Sequence, residues 1–203
     1  MIAWVAAACL AAAQTPSAEY FPLRPGLKWE YDVVADPGLL AVRQTLVCGE
    51  PVTIRGAEAI PMQSILDGKV AQTSYYAKQN GFYTIVALEE TTPLARPIPV
   101  LPIEPKRGAS WEYDGGVPVL TELTPFRFKA RVEGFEELDV LGQKRSCVKV
   151  RFDATTGREV AVMQTVSTEW YAPGIGLVKK VQEVKGKNGT KVTMELVSFE
   201  GGK

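Results

Sequence analysis

Histidine is missing altogether from the 203 residues. Its absence removes Ser-His-Asp and Cys-His catalysis, imidazole metal ligation and histidine pH switching from what the chain can do by itself. Cysteine is scarce: Cys9, Cys48 and Cys147 are the whole set, with no Cys-x-x-Cys pair, so zinc and thioredoxin-type redox sites have no footing. Net charge is missing too, since 23 Lys and Arg balance 23 Asp and Glu. A balanced chain has no general attraction for nucleic acid or for an anionic membrane. The phosphate-cradling Gly-Lys-Ser/Thr loop, the Rossmann fingerprint and the Gly-x-Ser-x-Gly elbow are absent as well. With 46% hydrophobic and 23% charged residues the composition is that of an ordinary globular chain, which excludes disorder and collagen.

What is present begins with Met1 to Ala13, an uncharged, alanine-rich apolar run followed by the polar Gln14, Thr15, Pro16 and Ser17. An apolar core with a small-residue exit has the form of a secretory signal, and it is too short for a bilayer span of about 20 residues. Residues 1–19 are therefore expected to be a signal peptide and short linker, cleaved after Ala13. The mature protein is expected in the periplasm or outside the cell. Ala6-Ala7-Ala8-Cys9 loosely resembles a lipobox, which makes Cys9 a candidate lipidation site. The membrane is a partner only if Cys9 is acylated. In Cys147 to Phe152, strand alternation puts Val148, Val150 and Phe152 on the buried face and Cys147 on the polar face, so no core disulfide with Cys48 is expected.

Beyond residue 19 the chain reads as β. Asp67-Gly68, Asn80-Gly81 and Asn188-Gly189 supply the positive φ values of two-residue hairpin turns. Phe126 to Glu133 and Lys191 to Leu196 alternate apolar and polar, and Val160, Val162, Val166 and Trp170 share an apolar face. No stretch past Ala13 keeps a 3.6-residue apolar period over three turns. Residues 92–105 carry Pro93, Pro97, Pro99, Pro102 and Pro105, too many missing donors for a central strand, so this segment is expected on the surface or at an edge. On either side of it Trp29-Glu30-Tyr31-Asp32 recurs as Trp111-Glu112-Tyr113-Asp114, Val47-Cys48-Gly49 lies opposite Val132-Glu133-Gly134, and Tyr75-Tyr76-Ala77 lies opposite Trp170-Tyr171-Ala172. Matched landmarks in one order indicate an internal repeat. The expected organisation is one β domain over 20–203, with repeat one at 20–91, the Pro-rich connection at 92–105 and repeat two at 106–203. The fold class is all-β, an antiparallel sheet that forms an open barrel, one curved sheet or a clam-like sandwich.

Two segments, Tyr20-Phe21-Pro22-Leu23-Arg24-Pro25-Gly26-Leu27-Lys28-Trp29-Glu30-Tyr31 and Trp170-Tyr171-Ala172-Pro173-Gly174-Ile175-Gly176-Leu177-Val178-Lys179, resemble poorly characterised exported bacterial β proteins, many of them lipoproteins. The resemblance implies an envelope-facing β protein similar in architecture to open-barrel lipoprotein carriers. Those carriers have helices plugging the barrel, and this chain departs from them in having no helical stretch.

Trp29, Tyr31, Trp111, Tyr113, Trp170 and Tyr171 are the candidate binding residues, because rings two apart on a strand share a face and can line a cleft for an apolar or glycan ligand. Their use in both halves equally suits a role as core anchors. Arg127, Lys129 and Arg131 form a basic stripe, extended by Lys149 and Arg151 if those strands are neighbours, and it suits either an anionic group or a solvated face. Glu133, Glu136, Glu137 and Asp139 are the only grouping that offers histidine-free hydrolysis, with a polar turn as the plainer reading. No metal site, cofactor or nucleic-acid partner is expected. The expected function is non-enzymatic binding of an envelope component or a partner protein, with a carboxylate-based hydrolase and a structural assembly module as alternatives.

Overall fold

The computed structural model describes residues 19–36, 40–119, 122–158, 162–186 and 189–201. The expected signal peptide with Cys9, and Val160 and Asn188, lie outside the described residues. The strands are β1 (Lys28–Asp36), β2 (Leu40–Cys48), β3 (Val52–Ile54), β4 (Ala57–Leu66), β5 (Lys69–Gln79), β6 (Phe82–Leu88), β7 (Pro93–Pro102), β8 (Ser110–Val119), β9 (Glu122–Val140), β10 (Gln143–Thr156), β11 (Met163–Ala172), β12 (Gly176–Val184) and β13 (Lys191–Glu200). Among the described residues there is no helix.

Two-residue turns set the registers. Asp67-Gly68 and Asn80-Gly81 both take positive φ at each position, +49 and +73 and +52 and +78. This is the mirror-image turn whose twist matches that of the strands it joins. Arg55-Gly56 and Leu141-Gly142 adopt the same conformation although Arg and Leu are poor turn formers. In each the second residue is glycine, which bears the positive φ without a Cβ clash.

The strands pair antiparallel in the order β7-β6-β5-β4-β2-β1-β13-β12-β11-β10-β9-β8, with β3 on β4. The first half of this path reads down from β7 to β1 and the second reads down from β13 to β8 in the same manner. The join between β1 and β13 is a full ladder, from Lys28 opposite Glu200 to Asp36 opposite Lys191. The corresponding join, between β8 and β7, has no ladder among the described residues, so the barrel closes with one unsealed seam. The cause is in β7 itself, where four of ten residues are proline and lack the N–H that a second ladder needs. Of the three architectures compatible with the sequence, the chain adopts the open barrel.

Side chains bridge the seam where backbone does not. Trp111 Nε1 donates to the Pro99 carbonyl at 3.3 Å, the Tyr113 hydroxyl to the Arg96 carbonyl at 3.3 Å, and Arg96 to the Asp114 carbonyl at 2.9 Å. Beneath them Leu94, Ile98, Tyr113, Phe128 and Ala130 form a closed apolar cluster.

The outer face is polar and ion-paired, as with Arg43 and Asp32 at 2.8 Å and Arg151 and Asp153 at 2.9 Å, so apolar surface is turned inward. Residues 19–27 cross one end of the barrel and plug it. Phe21 is the stopper, its ring 5.3 Å from that of Tyr76, 5.4 Å from Tyr83 and 6.1 Å from Tyr171. Glu19 pins the segment through Lys78 at 2.8 Å and by accepting from the Gly174 amide at 2.8 Å.

Two expectations are corrected. Cys147, expected on a wet face, is fully buried together with Val148 and Val150. The β9–β10 ladder slips between Lys149 and Val150, and past the slip Leu138 and Val140 join the main cluster with Val178, which covers that face. In β11 Val166 and Trp170 lie on the face opposite Ser167, Glu169 and Tyr171; Val166 is partly exposed, whereas Trp170 is as buried as the residues facing in, covered by Lys149 and Lys179. The interior here is a partly polar cavity, so the usual rule that the apolar face turns inward is reversed.

Candidate functional site

Laying the two Trp-led strands over one another sets up the comparison that defines the site. Trp29 faces Leu46 and Tyr31 faces Gln44 on β2, as Trp111 faces Ala130 and Tyr113 faces Phe128 on β9. One strand further, Leu46 faces Ser64 on β4, as Ala130 faces Phe152 on β10. Gln44 and Ser64 thus stand where the other half has Phe128 and Phe152. In that other half the rings of Trp111, Tyr113, Phe126, Phe128 and Phe152 pack at 5.6–5.9 Å between centroids and fill the interior. In the first half the smaller residues leave a cavity.

The cavity has two compartments that share Leu46, Met62, Tyr76, Leu177 and Lys180. The deep one, about 250 Å³, lies on Phe21, Trp29, Tyr31, Tyr76 and Tyr171, with Glu169 in its wall. The outer one, about 430 Å³, is lined by Gln44, Ser64, Gln72, Ser74 and Gln182 together with the apolar Val33, Val192 and Met194, and lies toward the end opposite the Phe21 plug. Together they fall within the size range of small-molecule sites, apolar below with convergent polar groups above.

The floor is built by the two segments that carry the family resemblance. Trp29 Nε1 donates to the Ile175 carbonyl at 2.6 Å and the Tyr31 hydroxyl donates to the Leu177 carbonyl at 2.8 Å. Gly176, at φ +99, lets Pro22 approach, and a Cβ there would stand 3.4 Å from the proline ring. Burial holds the hydroxyls of Tyr31, Tyr76 and Tyr171 in the neutral form well above the usual tyrosine range, and the Glu169 carboxylate adds to the effect at Tyr76 and Tyr171. In the wall the Tyr171 hydroxyl donates to Glu169 Oε2, and Lys180 Nζ lies 3.1 Å from Glu169 Oε1. Glu169 and Lys180 are cross-strand partners, and the matching pair in the first half is Ser74 and Leu88. The barrel framework therefore does not itself require an ion pair at that level.

The six candidate aromatic residues divide three ways. Trp29, Tyr31 and Tyr171 meet around the cavity. Trp111 and Tyr113 belong to the seam cluster and line neither compartment of this cavity, Tyr113 bordering instead a separate hollow of about 320 Å³ among the charged side chains of Glu112, Asp114, Arg127 and Lys129. Trp170 points out of the barrel, where its Nε1 donates to Glu136 Oε2 at 3.1 Å and Lys149 and Lys179 lie over its ring at 5.3 and 5.9 Å. The basic stripe Arg127, Lys129 and Arg131 is exposed on β9, next to Lys149 and Arg151 on β10. Arg127 is paired with Asp114 at 2.9 Å, Lys149 with Glu136 at 3.3 Å and Arg151 with Asp153, so acids are interleaved through it. Glu133 and Glu136 face Lys149 on the outer surface and Asp139 accepts from the Gly142 amide at 2.9 Å, each in a structural role. No cluster of potential metal ligands occurs among the described residues.

Sequence reading missed Gln44, Ser64, Gln72, Ser74, Glu169 and Lys180. The available signal was Glu169 two residues before Tyr171, a charge in register with a buried ring on one strand face.

No family model matches the chain, and no curated protein matches it. Solved structures that are similar include the following three. One, described as a lipoprotein of Parabacteroides distasonis, superposes with a TM-score of 0.56 at 14% identity, over 92% of this chain and 100% of that one. A second, described as an exported protein with YmcC-like fold from Bacteroides fragilis, gives 0.55 at 12% identity over 91% and 100%. The third, the hypothetical lipoprotein YmcC of Escherichia coli, gives 0.40 at 14% identity over 88% and 89%, too low to argue from. At these identities the first two establish a shared fold.

Proposed function

We propose that the protein is an exported, non-enzymatic binding protein of the cell envelope, built as a duplicated six-strand unit, that holds an amphipathic envelope component in a barrel cavity walled mainly by the first half and completed by Glu169, Tyr171, Leu177 and Lys180 of the second. The observation that carries this reading is the replacement of the Phe128 and Phe152 positions by Gln44 and Ser64, which leaves one half hollow where the other is packed. Protein interiors pack to near crystal density, so a hollow of this size lined by convergent polar groups points to an occupant.

The open end supports the same reading. Of the large exposed apolar side chains, Val34, Leu66, Val70, Leu123, Val162 and Met163 all lie at strand ends or turns on the side away from the Phe21 plug. Val34, Leu66 and Val70 lie at the same ends of β1, β4 and β5 as the mouth residues Val33, Ser64 and Gln72, and exposed apolar groups at that end suit transfer of a molecule with an apolar tail. The expected export signal, together with the description of the fold neighbours as lipoprotein and exported protein, supports a ligand drawn from the envelope. Non-enzymatic action is favoured by the use of Glu133 and Glu136 in outer-face ion pairs and of Asp139 in a turn, with Glu137 exposed beside them.

The test is saturable binding of the uncharged dye N-phenylnaphthylamine by the mature chain. One site per chain, lost in Gln44→Phe/Ser64→Phe while the fold is kept, is the expected result. Equal dye binding by that variant places the site elsewhere and rejects the reading.

A further inference from the structure

We infer that the cavity selects a single-tailed amphiphile with an uncharged, hydrogen-bonding head, whose first polar oxygen, an ester, ether or glycosidic one, seats at Lys180. This rests on the binding reading above and adds the ligand's chemistry to it.

Lys180 lines both compartments and so marks the boundary between the aromatic floor and the polar mouth. Glu169 is its ion-pair partner, at 3.1 Å, and the second carboxylate oxygen is taken by the Tyr171 hydroxyl. Each carboxylate oxygen thereby has one donor, while an ammonium with three donors keeps N–H groups for an acceptor in the cavity. These two are the only charged side chains lining either compartment, so the lining has no net charge. A phosphate or carboxylate head would meet Glu169 with no second cation to offset it, and a quaternary ammonium would meet Lys180. The mouth offers three amides and two hydroxyls, which supply donors and acceptors alike and suit hydroxyl or amide groups. Below the boundary Phe21, Pro22, Trp29 and Ile85, which line the deep compartment alone, provide the apolar depth for one tail.

The pair's position argues for recognition over stability. Ser74 and Leu88 occupy the matching place in the other half without a charge, and a half-buried ion pair is weak support for a fold compared with apolar residues.

Calorimetric titration of the mature chain with decyl maltoside, decyl phosphate and decyltrimethylammonium, each below its micelle concentration, tests this. Decyl maltoside is expected to bind about tenfold or more tighter than either charged probe, the equivalent of one good polar contact. Glu169→Gln leaves Lys180 unpaired and is expected to raise the affinity for decyl phosphate relative to decyl maltoside. Glu169→Ser/Lys180→Leu copies the other half, guards against misfolding, and is expected to lose most of the maltoside preference while still taking up N-phenylnaphthylamine. Equal affinities for the three probes, or a preference for a charged one in the wild type, overturn the inference and leave the binding reading intact. If no decyl probe binds and the dye does not either, both fail.

Discussion

Filling the hollow half is the most informative perturbation, because the other half of the molecule already displays the filled version. Gln44→Phe/Ser64→Phe places at these two positions the rings found at 128 and 152. Burying each ring contributes about 1.5 to 3 kcal/mol. Against this, the hydrogen bond from Gln44 Nε2 to Ser64 Oγ, 2.7 Å long, disappears. Both of its partners are replaced together, so no buried polar atom is orphaned and the loss is about 0.5 to 1.5 kcal/mol. Strain where the ladder shifts between Ser64 and Ile65 takes a further amount of about 1 to 3 kcal/mol. The central values leave a gain of roughly 1.5 kcal/mol, which raises Tm by about 3 to 6 °C in a chain of this size. Differential scanning calorimetry with and without N-phenylnaphthylamine reads both sides of the trade: a more stable protein that no longer binds. A variant that melts below the wild type would show that the two halves are not comparable in space, and the reasoning from Phe128 and Phe152 would fall.

Other consequences follow from the same interior. Tyr171→Phe leaves Glu169 Oε2 without its donor at a buried position, so urea denaturation should show a loss of about 1 to 3 kcal/mol, and no change would mean the contact is not formed in solution. Trp29→Phe should destabilise more than Trp111→Phe, since the first indole is buried and donates at 2.6 Å while the second is partly exposed and donates at 3.3 Å; the reverse order in melting temperature would contradict the assignment. The buried hydroxyls of Tyr31, Tyr76 and Tyr171 ionise only above their ordinary value of 10.0, so on raising the pH the unfolded chain gives up its protons first. Stability should therefore be flat with respect to these groups below that value and fall beyond it, read as a lower urea midpoint at about pH 11 than at about pH 9, and an unchanged midpoint refutes it. Burial pushes both Cys48 and Cys147 up to about 11, so neither should react with iodoacetamide in the native state at about pH 8, and rapid native labelling would contradict their burial.

How far the sequence could be read depended on whether the signal was local. Asp67-Gly68 and Asn80-Gly81 specify their hairpins through φ alone and were legible. Arg55-Gly56 and Leu141-Gly142 were not, because only the glycine carries the signal and its neighbour argues the other way. The prolines of β7 announced an edge strand by their missing donors, and that is where the seam lies. The landmark match of Val47 to Val132 has the right strands but is one residue out of register. The ladders place Leu46 with Ala130, and a one-residue slip turns an outward side chain inward. That slip hid the site, since Gln44 and Ser64 become informative only when each is set against the phenylalanine in its own place. Glu169 escaped notice for a related reason: alternation assigns the apolar row of Val166 and Trp170 to the interior, and only the three-dimensional packing of Lys149, Lys179 and Glu136 around Trp170 shows that row to be the outer one.

The central claim is that the barrel cavity walled mainly by the first half is a binding site occupied by one amphiphile. Native mass spectrometry of the chain purified from the envelope of its own host tests it most directly, alongside Gln44→Phe/Ser64→Phe produced in the same way. The account predicts one adduct of amphiphile mass per wild-type chain and none on the variant. The same adduct on both, or on neither, would contradict it.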